Sequence, residues 1–280
     1  MIRKVFFLDI DDCLIHTSAL TDKHLYAIKE ELNKFGIKKA REITQEFAAS
    51  FQRLYDVHQG KHLSSYNQKL FEDYLRKLTQ LEKPVVEKFG EIKRWSREIC
   101  LFIAGQKYSI DLSNEILVKT ANTLWTKITQ YANFYPDAEI FLNKLIHQHI
   151  PFFLITSSDS RLTKDDKTSL FYYDPKYSRD LKMNRLQKFI DLGIPSEHIF
   201  IGDPVDKPKL WVFEEALKYA RNELQTDFES VMISDSYSND LIPAEKVGMD
   251  KFVLILRHNS QTKLFPKKFK LITIRKLNEI

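Results

Sequence analysis

Residues Val5-Phe6-Phe7-Leu8-Asp9-Ile10-Asp11-Asp12-Cys13-Leu14 run four consecutive apolar side chains into Asp9, Asp11 and Asp12. A short apolar run of this kind reads as a buried strand of a parallel sheet. The carboxyl ends of such strands open into the crevice where ligands bind. Carboxylates crowded there repel one another unless a cation or a shared proton relieves them. The stretch therefore asks for a metal or a proton-transfer role. A solvated acidic turn after a core strand is the competing reading. The rest of the chain has to separate the two.

The chain has 280 residues, enough for one large domain or two ordinary ones and for a core without staples. Cys13 and Cys100 are its only cysteines, too few for a disulfide framework, which suits a reducing compartment. The apolar run after Arg3 and Lys4 stops at Asp9, too short for the core of a signal peptide. No other stretch approaches membrane-spanning length, so the expectation is a soluble, cytoplasmic protein with no membrane partner. The formal net charge is +5, from 43 basic and 38 acidic residues that are interspersed. The densest basic stretch, 263–276, carries Lys267, Lys268, Lys270 and Arg275. It reads as a guarded sheet edge rather than a nucleic-acid patch, and no nucleic-acid partner is expected. Seven glycines leave no glycine-rich phosphate loop, which excludes Walker-type and dinucleotide-binding fingerprints.

Beyond Leu14 the pattern becomes helical and stays so from about residue 21 to 134. Leu25, Ile28, Leu32 and Phe35 form one stripe, closed by Gly36. Ile43, Phe47, Phe51 and Leu54 form a second stripe ending near Gly60, and Leu70, Tyr74, Leu78 and Leu81 a third ending before Pro84. Further helices are expected over 86–101 and 113–131, the latter capped by Ser113. Aromatic residues in these stripes are most simply core. From Tyr135 a strand–helix alternation returns, with strands over 152–155, 198–201, 231–233, 252–256 and 271–274. Helices are expected at 136–146, 184–192, 210–224 and 241–247. A polar, tyrosine-rich insertion at 160–182 is compatible with a hairpin or a flap. The predicted architecture is thus α/β and split. Residues 1–15 and 135–280 build a parallel-sheet, Rossmann-like core, and residues 16–134 an inserted helical block.

Each strand end in this scheme supplies a polar group. Asp9 and Asp11 follow the first strand, Thr156 and Ser157 the second. Lys207 begins the helix after the third, and Asp235 ends the fourth, with Asp240 five residues on. Parallel strands present these ends to one side, so the groups can converge. Carboxylate oxygens suit a hard divalent cation such as Mg²⁺, which takes few protein ligands and leaves places for water and phosphate. A hydroxyl and a lysine are what a phosphate group needs.

In this pattern the sequence resembles the haloacid dehalogenase (HAD) superfamily. Asp9-Ile10-Asp11-Asp12-Cys13 is similar to its first motif, Thr156 to its second, Lys207-Pro208 with Phe213 to its third (Lys209 competes), and Ser234-Asp235 through Asp240 to its fourth. The helical block corresponds to a cap of the kind inserted after the first motif. The resemblance implies a phosphatase in which Asp9 is the nucleophile and Asp11 the acid and base. It implies that Asp9, Asp11 (through its carbonyl), Asp235 and Asp240 serve a Mg²⁺ ion. Thr156, Ser157 and Lys207 would bind the phosphoryl group of a small phosphorylated substrate, in a monomer or weak homodimer. A phosphomutase and a non-catalytic binding scaffold of the same fold are the rival implications. Three departures stand out. Cys13 replaces a Thr, and Asp12 and Ser234 replace glycines. His16, just past the first motif, is a further candidate for substrate contact.

Overall fold

The computed structural model describes residues 3–17, 21–58, 62–90, 96–158, 161–257 and 271–280. The opening stretch is β1 (Arg3–Asp9), buried from Val5 onward. Val5 and Phe7 pack on one side with Phe153, Val212 and Phe213, while Phe6 and Leu8 pack on the other with Phe141, Leu154 and Phe189. Side chains alternate faces along a strand, so a strand covered on both sides must be apolar at every position.

β1 lies between β2 (Phe152–Ser157) and β6 (Phe228–Ser234) in a sheet whose pairings are all parallel. The full order is β5 (Ile199–Gly202), β2, β1, β6, β7 (Lys251–Ile255), β8 (Leu271–Ile274). The chain winds from β1 to one edge, then returns to build the other side. This reversal beside β1 opens a crevice at its carboxyl end. Helices α7 (Pro136–His147) and α8 (Pro175–Asp191) cover one face, and α9 (Trp211–Leu224) with α10 (Ile242–Lys246) the other. Of the basic stretch expected at a sheet edge, residues 263–270 lie outside those described; β8 does form an edge. No helix among the described residues is long and apolar enough to cross a membrane.

Between β1 and α7 come α1 (Asp22–Lys34), α2 (Ala40–His58), α3 (Ser65–Leu81), α4 (Lys83–Phe89), α5 (Arg97–Gln106) and α6 (Asn114–Tyr131). The stripes read from the sequence supply their common core, with Ile28, Leu32, Ile43, Phe47, Tyr74 and Leu78 all buried. α5 is central, buried at every position from Arg97 to Gly105, as a helix enclosed by others must be. The sequence suggested one helix over 86–101; instead α4 stops at Gly90, whose φ of +76° ends it, and α5 starts after Ser96. Apolar spacing continues on both sides of the break and conceals it. The expected helix end near Gly60 falls outside the described residues.

The 160–182 insertion divides. β3 (Leu162–Lys164) and β4 (Phe171–Tyr173) form an antiparallel hairpin whose Leu162 and Phe171 enter the core of the helical block. The remainder is the first half of α8, which begins at Pro175 rather than near 184. Asp174 caps it, accepting from the Tyr177 N–H at 3.0 Å. Its buried face includes Ser178, Lys182 and Arg185, so hydrophobic periodicity could not reveal it.

Candidate active site

Asp9 is the last residue of β1, paired in register with Ile155 of β2; Thr156 and Ser157 complete β2, and Ser234 completes β6. After Asp235 the chain makes one π-helical turn, Tyr237–Leu241, and this turn brings Asp240 back over the strand ends. Isolated π turns are uncommon and recur at functional sites. Lys207 comes from the loop after β5, its N–H bonded to the Asp206 carboxylate at 2.6 Å.

Here the predicted groups meet. Lys207 Nζ lies 2.5 Å from Asp9 Oδ1 and 2.6 Å from Asp240 Oδ1, and donates to the Ile155 carbonyl at 3.3 Å. The other oxygen of Asp240 accepts from Ser234 Oγ at 2.9 Å. Asp9, Lys207 and Asp240 are all buried. The competitor Lys209 is exposed. Asp240 thus uses both oxygens to hold Lys207 and Ser234, a supporting position rather than an open one. Ser234, standing where a glycine was expected, supplies one of those bonds.

The electrostatics follow from the burial. Burial pushes the Asp9 carboxyl up to about 7; Lys207 opposes the rise and the charge of Asp240 adds to it. For Lys207 burial disfavours the charge, but Asp240 and Asp9 overcome it and raise the ammonium above the ordinary lysine value. Asp235 is solvent-accessible, yet protein crowds round its carboxyl. Desolvation there, then repulsion from Asp9, Asp12 and Asp240, holds its carboxyl well above the usual range. Among the described residues it receives no hydrogen bond. A carboxylate facing water, short of donors and ringed by like charges, fits a hard cation. The oxygen-only donor set of Asp9, Asp235 and the Asp11 carbonyl has the same character. No three acidic, histidine or cysteine side chains among the described residues enclose an ion by themselves, and Mg²⁺ does not require that many.

Asp11 turns the other way. Its Oδ2 accepts from Lys182 Nζ at 3.2 Å and from Thr156 Oγ1 at 3.4 Å, and its Oδ1 pairs with Arg185. Burial alone would raise this carboxyl, but Arg185 and Lys182 hold it well below the usual carboxylate range. Neither cation was legible in the sequence. Both lie on the polar face of α8, three residues apart, and only a capped helix start at Asp174-Pro175 could have signalled them.

The loop after β1 explains the other departures. Asp12 has a φ of +59°, the left-handed conformation that glycine adopts freely and Asp tolerates. Its carboxylate accepts from the Thr17 N–H at 2.9 Å. Cys13 is buried, with its thiol 3.9 Å from the Ile233 carbonyl. Burial, then the charge of Asp9, raises that thiol well above its ordinary value, which opposes a redox role. Arg257 fixes the loop from below: its Nη2 and Nε donate to the Cys13 carbonyl at 2.7 and 3.1 Å, and its Nη1 donates to both Asp137 oxygens at 2.7 Å. His16 is exposed and lies edge-on to Tyr135.

No protein-family model matches the sequence, and no curated protein matches it either. Solved structures do resemble the fold. A 2-haloacid dehalogenase from Pseudomonas syringae is 16% identical over 100% of this chain and 96% of its own, with a TM-score of 0.51. A HAD phosphatase from Thermococcus onnurineus is 17% identical over 99% of this chain and 95% of its own, with a TM-score of 0.46. At such identities the likeness concerns architecture. With its six parallel strands and helices on both faces, the chain has the fold of the haloacid dehalogenase superfamily.

Proposed function

We propose that this chain is a Mg²⁺-dependent phosphatase that hydrolyses a small phosphorylated metabolite through an aspartyl-phosphate. The observation that carries this reading is the placement of Lys207 between Asp9 and Asp240 beside the accessible, donor-poor Asp235. Displacing a halide from carbon calls for no such accumulation of carboxylates, whereas transferring a phosphoryl group puts negative charge where cations must meet it.

Asp9, Asp235 and the Asp11 carbonyl would hold the ion. Bound there, Mg²⁺ supplies positive charge to the phosphoryl oxygens. Asp9 Oδ forms a bond to phosphorus as the ester P–O bond breaks, and Asp11, able to hold a proton only once the substrate draws Arg185 and Lys182 off its carboxylate, gives that proton to the departing oxygen. Water then attacks the phosphorylated Asp9, losing a proton to Asp11 and releasing phosphate. Lys207 keeps Asp9 aligned and meets the phosphoryl oxygens, and Thr156 and Ser157, at the end of β2 beside Asp11, would donate to the same group. The helical block together with the β3–β4 hairpin, which we read as a cap, limits the substrate to small molecules by screening the site from water.

Purified protein assayed on an aryl phosphate, with Mg²⁺ and with chelator, tests the reading. Phosphate release that depends on Mg²⁺ is expected. Release of halide from a 2-halo acid without phosphate release would overturn it.

A further inference from the structure

We propose that the leaving group of the substrate carries an oxyanion of its own, a carboxylate or a second phosphoryl group, bound by Lys182 and Arg185 with the indole N–H of Trp125. The inference rests on the phosphatase reading, because it is Asp11 that marks the leaving-group side of the site.

Two buried cations from successive turns of α8 converge on the one carboxylate that faces the departing oxygen. Placing them there costs desolvation, and the proposed chemistry of Asp11 gains nothing from two cations fixed against its carboxylate. Their contact with Asp11 does show what the pair recognises, since a carboxylate already occupies it. The Lys182 ammonium has three N–H donors. Asp11 accepts one, and no other acceptor for them is found among the described residues.

A second observation comes from the helical block. Trp125 of α6 is buried, and its Nε1 has no hydrogen-bond acceptor. The Arg185 guanidinium carbon lies 4.9 Å from the centre of its ring, and that of Arg97 4.6 Å. A buried indole N–H without an acceptor is costly, and the guanidinium groups packed on this ring are donors that cannot supply one. An oxyanion supplies the acceptors that Trp125 lacks and that Lys182 can still use. A carboxylate attached one or two carbons from the ester oxygen would reach from Asp11 to this group. The donors come from α6 and α8, so the helical block and the core would both touch the ligand.

Matched esters test the idea. Phosphoglycolate and ethyl phosphate differ in a carboxylate against a methyl group, and propane-1,3-diyl bisphosphate and propyl phosphate differ in the second phosphate. The wild-type kcat/KM should favour at least one anionic member over its neutral match by at least about tenfold, the scale of a charged hydrogen bond. The preferred pair tells carboxylate from phosphate. Arg185→Gln and Lys182→Gln should each shrink that preference, mainly through KM for the anionic ester, with Arg185→Lys restoring part of it. Turnover of both members of each pair at equal kcat/KM would overturn this inference and leave the phosphatase reading standing. Turnover of none of the esters, nor of an aryl phosphate, would overturn both. Since the wild-type ratios decide the matter alone, a variant that fails to fold does not obscure the result.

Discussion

Two clusters of buried charge stand in this molecule, and they are built differently. Lys207 with Asp9 and Asp240 gathers groups from the ends of strands and the loop after β5, around one ammonium. Arg161 with Glu98 joins the start of the β3–β4 hairpin to α5, at 2.6 and 2.9 Å. Tyr177 of α8 and Asn122 of α6 close the second network, with the Tyr177 hydroxyl 2.8 Å from both Glu98 and Asn122. In the first cluster two carboxylates compete for one cation next to an accessible third, Asp235. Its charge is unbalanced in a way that a ligand can correct. In the second, the Arg161–Glu98 pair is fully buried and matched in charge, with Tyr177 and Asn122 half-buried beside it and bonded into it. A site keeps frustration where chemistry will use it, while a scaffold removes it. We therefore assign the first cluster to turnover and the second to holding the hairpin and α8 against the helical block.

That contrast can be broken from either side. The largest effect expected is on Asp9→Asn, which should lower kcat on an aryl phosphate by at least about three orders of magnitude. It removes one of two like charges beside Lys207, so its urea midpoint should not fall. Turnover equal to wild type would remove Asp9 as nucleophile. Lys207→Ala should cost roughly two orders of magnitude in kcat/KM, as lost electrostatic donors do. The exposed Lys209→Ala should cost little, and a larger loss there would mean that the wrong lysine has been assigned.

On the structural side, Glu98→Leu leaves Arg161 buried without its carboxylate and should lower stability by about 3–5 kcal/mol in urea titrations. Combining it with Arg161→Met should recover most of that loss. If Glu98→Leu instead spared stability and abolished turnover, the division between the clusters would collapse. The smallest effect expected concerns Asp137, which anchors the loop after β1 through Arg257. Burial would raise its carboxyl, but the Leu277 N–H and Arg257 outweigh burial and hold it below its ordinary value. A carboxylate depressed in the folded state contributes stability above its unfolded pKa, and loses it as pH falls through the folded value. Stability should therefore decline with acid below about pH 4, and less steeply in Arg257→Met. Acid titrations followed by circular dichroism would check this.

Much of the fold was open to reading because its signals are local. β1, β2 and β6 are apolar runs that end in polar residues, and a strand buried on both faces has no other way to look. The helical stripes are legible for the same reason, since 3.6-residue spacing encodes one buried face. Where burial is polar the signal fails. The first half of α8 was hidden because Ser178, Lys182 and Arg185 fill its inner face, and the break at Gly90 was hidden because apolar spacing continues across it.

The sequence by itself determined the order of the strands' polar ends, and with it the set Asp9, Asp11, Thr156, Lys207, Asp235 and Asp240. Chain order suffices for that, because parallel strands carry their carboxyl ends to one side. Only the tertiary structure decided which partner each group meets. Lys207 and not Lys209 reaches Asp9, Asp240 turns inward to support it, and Asp11 is met by two cations about 170 residues away in the chain. The physical reason is that strand position is a local property, whereas the field at a carboxylate is a sum over every charge brought near it. The opening stretch specified its acids; the helices packed around it set how each of them is charged.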